Sequence, residues 1–107
     1  MNITNLATNY FEYFNNYDID GLTEIYDIEI KLIDWNGKWS GINKVINVNK
    51  SLFAELKPSI TITEINEIDE KAFCKINISI GDEILKVMDV IEFNKYGKII
   101  KIEAFKG

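Results

Sequence analysis

The sequence contains no histidine and no arginine, with one cysteine and one proline in 107 residues. Without histidine it lacks the commonest metal ligand, the usual general base near neutral pH, and any relay in which histidine activates serine or cysteine. Without arginine it has no planar fork to clamp a phosphate or carboxylate at two points. The lone Cys74 allows no internal disulfide. It lies among apolar neighbours in AFCKINISI, the setting of a small core residue, with nothing to activate it as a nucleophile. No apolar run approaches the roughly 20 residues of a membrane span, and the opening MNITNLATNYFEYF lacks a signal-peptide form. The net charge of -5, with scattered lysines, speaks against nucleic acid. These absences predict a soluble, cytoplasmic protein with no metal, no cofactor, no nucleic-acid partner and no membrane contact. Chemistry is left to Asp, Glu, Tyr, Lys, Ser, Thr and the one Cys.

What is present is a well-patterned chain. Apolar residues make up 47%, enough for a core in one domain spanning residues 1–107. Ile3, Leu6, Ala7, Tyr10 and Phe14 form one helical stripe and predict a helix over about 3–16. Asp18 can cap a second short helix with Leu22, Ile25 and Tyr26 on its apolar side. IEIKLID reads as a strand in which Ile28, Ile30, Leu32 and Asp34 share a face, followed by a turn at Asn36-Gly37. A third helix is expected from Ser40 to about Leu56, carrying Ile42, Val45, Ile46, Leu52 and Phe53, with Pro58 ending it.

Everything after Pro58 alternates. SITITEINEI, EKAFCKINISI, EILKVMDVIEFN and KIIKIEAF read as four strands, with turns at Gly81-Asp82 and at Lys95-Tyr96-Gly97. The order helix, helix, strand, helix and four strands predicts an α+β domain, its helices on one face of a curved antiparallel sheet.

One of these strands carries an odd letter. In KVMDVIEF, Asp89 shares its parity with Leu85, Val87, Ile91 and Phe93, so it points where four large apolar side chains point. An unpaired charge there would be costly. Asp34 closes a similar apolar series, and Tyr10 lies on the stripe of the first helix. A helix and two strands thus aim three proton-carrying groups inward, as in a mostly apolar small-molecule pocket with a few convergent polar groups.

The stretches NYFEYFNNYDIDGL, IKLIDWNGKWSG and MDVIEFNKYGKIIKIEAFKG resemble the nuclear transport factor 2-like superfamily over essentially the whole chain. Within it they look most like the SnoaL-like proteins and ketosteroid isomerases. The resemblance implies a cone-shaped, cystatin-like fold with three helices in the N-terminal half packed on the sheet. It also implies roles. In the isomerases a first-helix tyrosine and a neutral aspartate on the penultimate strand form an oxyanion hole, and a second aspartate moves the proton. Those positions fall on Tyr10, Asp89 and Asp34. Phe14, Trp35, Phe53, Val87 and Ile91 are expected to line the ligand pocket.

The chain departs from that pattern where Trp35, not proline, follows Asp34, and where Asn49 takes the place of a supporting tyrosine. Its last strand is also followed directly by Gly107, where relatives carry an extension. These departures bear on the steroid more than on the proton chemistry, and Trp35 with Trp39 suits a smaller planar ligand.

Three functions remain open at this level. The first is an isomerase or cyclase shifting a proton next to a carbonyl, and the second a non-catalytic pocket for an apolar metabolite. The third is an association domain, for which Ile84, Ile99 and Phe105, opposite in parity to the pocket side, predict a homodimer through the outer sheet face. The missing histidine counts against the dehydratase-like branch of the superfamily. Each inward residue also has a purely structural reading: Asp89 as a hydrogen-bonded strand residue, Asp34 as a turn starter, Tyr10 as a core aromatic.

Overall fold

The computed structural model describes residues 1–107. The order is α1 (Ile3–Asn15), α2 (Ile19–Ile25), β1 (Tyr26–Asp34), β2 (Gly37–Ser40), α3 (Ile42–Glu55), β3 (Ser59–Ile68), β4 (Lys71–Ile80), β5 (Glu83–Phe93) and β6 (Ile99–Lys106). α1 and α2 begin where short polar side chains cap them, whereas α3 begins at Gly41 with no side-chain cap. Asn2 accepts from the Asn5 N–H at 3.0 Å, and Asp18 from the Gly21 N–H at 2.9 Å. On α1 the buried residues Ile3, Ala7, Tyr10, Phe11 and Phe14 form the expected stripe.

The six strands form one sheet in the order β2-β1-β6-β5-β4-β3. From β3 onward it is an antiparallel meander, and β1 pairs antiparallel with β2, but β1 lies parallel to β6. The sheet is therefore mixed, curved and unclosed, a pairing that local alternation could not disclose. β2 was also missed, since its four residues are too few to show a period. α1 and α3 pack against the sheet, and the core lies between the two layers. The α1 end is tied to the start of β3, where Asn15 Nδ2 donates to the Ile60 carbonyl at 2.9 Å and Asn15 Oδ1 accepts from the Ile60 N–H at 2.7 Å.

Two parity readings are overturned by irregular strands. Ile28 is 75% exposed, whereas Ile30 is wholly buried, because β1 shifts register against β6 between Tyr26 and Lys31. Ile99 does not lie on the outer face and is fully buried. Phe93 pairs with Ile99 but Glu92 pairs with Lys101, so Ile100 is a bulge residue. One inserted residue flips the parity of everything before it. Ile84 and Phe105, beyond the bulge, do stand out on the solvent side at 63% and 50% exposure.

Candidate functional site

Between α1, α3 and the concave sheet face lies a cavity of about 840 Å³. Its inner wall is formed by buried residues, among them Tyr10, Phe14, Asn49, Ile60, Asp89 and Ile102. Its rim is more exposed and mixed: Trp35 and Trp39 by the β1–β2 turn, Lys44 and Glu55 on α3, and Glu83 at the β4–β5 turn. Residues 44, 48, 51, 52 and 55 repeat at helical spacing, so one side of α3 forms a wall.

Asp89 is central to the inner wall. Directly across the ladders from it stand Cys74 on β4 and Ala104 on β6, both small, which leaves room above the carboxyl. The side chain is only 6% exposed, takes no hydrogen bond from any protein group and has no lysine paired with it. No buried polar side-chain atom in the structure lacks a partner, so the carboxyl oxygens open onto the cavity. Burial, and then the negative charge of Asp34, push its pKa from 3.8 up to about 7. Near neutrality a large part of the population carries a carboxylic acid at this point.

Tyr10, on the α1 stripe, reaches the same wall. Its ring lies 5.0 Å from Phe11, 6.1 Å from Phe14 and 6.4 Å from Tyr26, centroid to centroid. Burial raises its pKa well above the usual value, and the neighbouring Tyr26 and Asp89 raise it further, so the phenol stays protonated. Its hydroxyl adjoins that of Tyr26, which donates to Asn49 Oδ1 at 2.8 Å. Tyr26 too is raised, chiefly by burial. Asp34 closes β1 at the cavity edge, where Oδ1 accepts from the N–H groups of Asn36 at 2.7 Å and Gly37 at 3.2 Å. The Asx turn fixes one oxygen and leaves the other unclaimed by protein.

The sequence-derived residues therefore divide. Tyr10, Asp34, Asp89, Phe14 and Trp35 all contribute to the cavity wall. Phe53, Val87 and Ile91 do not. Phe53 is buried edge-on to Phe14 at 4.9 Å and stacked on Tyr17 at 4.6 Å, which removes it from the surface. Val87 and Ile91 have the parity of Asp89 but are packed into the buried core and do not reach the cavity wall. Asn49 and Tyr26 were not singled out as functional from sequence. The signal was available for Asn49, since it stands at the fourth position from both Val45 and Phe53, a polar letter in the buried stripe of α3. No cluster of three or more histidine, cysteine, aspartate or glutamate side chains is placed to hold a metal.

No protein-family model matches the sequence, and no curated protein is similar to it. Solved structures are similar in shape. A nuclear transport factor 2-like protein of unknown function from Cytophaga hutchinsonii superimposes with a TM-score of 0.88 at 10% identity, covering 100% of this chain and 91% of that one. A proposed ketosteroid isomerase from Kribbella flavida gives 0.90 at 17% identity, over 98% and 77% of the two chains. A proposed polyketide cyclase from Sinorhizobium meliloti gives 0.88 at 14%, over 94% of each. The chain has the nuclear transport factor 2-like fold, and at these identities the likeness is one of fold.

Proposed function

We propose that the cavity takes up a mainly apolar carbonyl compound and shifts a proton on the carbon next to its carbonyl, in an isomerase- or cyclase-type reaction. Asp34 serves as the base. Tyr10 and the protonated form of Asp89 donate hydrogen bonds to the enolate oxygen as it gains charge. The observation that carries this reading is Asp89: a buried acid with no protein partner, facing the cavity beside a phenol. Isomerase and cyclase proposals among proteins of the same fold are in keeping with it. The protein is further proposed to act in the cytoplasm, as a homodimer joined through the outer sheet face. No helix is long and apolar enough to cross a membrane.

A substrate-independent test is hydrogen exchange at the carbon beside a ketone. 2-Tetralone in heavy water should lose its acidic proton signals faster with the protein than without it. Asp34→Asn should lower that acceleration by about 10²–10⁴-fold while leaving 2-tetralone binding intact. Equal exchange rates with both proteins would overturn the assignment of the base. A second reading, binding without turnover, draws on the Asx turn, which already gives Asp34 a structural task. Binding by both proteins with no acceleration by either would select it.

A further inference from the structure

Asn49 and Asp89 are the polar residues that the fold buries, at 4% and 6% exposure, and both stand on the cavity wall. A primary amide carries two donors on nitrogen and two lone pairs on oxygen. In Asn49 the oxygen is engaged by the Tyr26 hydroxyl at 2.8 Å, and Tyr26 is itself only 3% exposed. The amide nitrogen donates to no protein group. Since no sealed polar side-chain atom lacks a partner, that nitrogen reaches the cavity surface.

Such a group is a poor choice for packing alone. A leucine would fill the same place between Val45 and Phe53 without burying an amide that leaves donors unused. The Tyr26 hydroxyl donates to Oδ1, and with the oxygen held there the amide nitrogen is turned away from Tyr26. Tyr10 adjoins Tyr26 as well, so Tyr26, which does not itself line the cavity, links the two wall residues Tyr10 and Asn49.

We infer that Asn49 is a ligand-contacting donor, offering its N–H to the oxygen of the molecule bound beside Tyr10 and Asp89, with Tyr26 as the positioning residue that fixes the amide. The inference rests on the reading of the cavity as a site for carbonyl compounds and extends it. Asp89 and Asn49 offer donors on one wall, and Tyr10 adds a third when its proton turns from Tyr26 to the ligand. Such a set suits an oxygen that becomes an oxyanion, since an enolate or phenolate oxygen can accept up to three hydrogen bonds. A neutral carbonyl uses two. The ligand class is therefore an apolar cyclic compound whose single polar end ionises or gains charge in the site.

2-Naphthol and naphthalene test this, since they differ only in the hydroxyl, and absorbance reports how much bound naphthol is ionised. Asn49→Leu should bind 2-naphthol about tenfold more weakly, lower the ionised fraction of the bound naphthol, and bind naphthalene as the native protein does. Tyr26→Phe leaves the cavity wall unaltered and frees the amide. It should shift both readouts the same way, by about threefold in affinity. Tyr10→Phe serves as the control for the site itself. If Tyr10→Phe loses naphthol affinity while Asn49→Leu and Tyr26→Phe match the native protein, the role of Asn49 is overturned and the cavity reading stands. If all four proteins bind both compounds alike, the oxyanion site falls with it.

Discussion

Cys74 lies directly across the β4–β5 ladder from Asp89, on the same face of the sheet, with no exposed surface. Burial and then the nearby carboxylate push its thiol up to about 12. A thiol reacts as its thiolate, so Cys74 should be inert in the folded protein. A disulfide reagent such as Ellman's should leave it unlabelled at pH 8 and react fully once urea unfolds the chain. Rapid labelling without denaturant would contradict the packing around Asp89.

Asp89 should also make stability depend on pH. Its pKa is about 7 in the folded chain and about 4 when unfolded. Between those values the folded form holds a proton that the unfolded form has lost, so stability falls as pH rises through that window. Below about pH 4 both forms are protonated and the slope vanishes. The full loss is about 4 kcal/mol at most. Asp89→Asn keeps the shape and cannot ionise. Urea unfolding at pH 5 and pH 8 should show the native protein losing stability across the interval and the variant losing much less. The same titration should weaken binding of enolate-like ligands above pH 7, since the acid then no longer donates.

Gly21 is a packing requirement and not a flexible joint. A Cβ there would sit 2.4 Å from the Tyr13 ring, at Cδ1. Gly21→Ala gains about 1 kcal/mol of helix propensity, but the overlap should outweigh it and give a net loss of about 1–3 kcal/mol. Thermal unfolding of this variant and of Gly21→Ala with Tyr13→Leu should show the second change recovering part of the loss.

Self-association can be read from the outer face. Phe105 stands opposite Met88 on the β5–β6 ladder, and Phe105 and Ile84 are exposed. Sedimentation at micromolar concentration should give a dimer for the native chain and a monomer for Phe105→Glu, with the cavity unaffected. A native monomer would remove the homodimer from the proposed function.

The parts that sequence reading caught have short-range causes. The α1 stripe, the Asp18 cap and the inward parity of Asp89 each depend on residues a few positions apart, whereas the β1–β2 turn falls on Trp35 and Asn36, one residue before the expected Asn36-Gly37. What it missed depends on pairing partners. Whether Ile99 faces in or out turns on the bulge at Ile100, which exists only against β5. Whether Val87 lines a cavity turns on the core residues that other elements bring around it. Phe53, likewise, is withdrawn by Phe14 and Tyr17, from a segment far from it along the chain.

The central place of β6 has a consequence for how the molecule comes together. β1 and β2 join the rest of the sheet only through β6, the strand furthest along the chain. During synthesis the β1–β2 hairpin has to wait, edge exposed, until residues 99–106 have left the ribosome and slot in between it and β5. Closing so long a loop is slow. The cavity is then one of the last features to take shape, because Ala104 and Ile102 arrive with that closing strand.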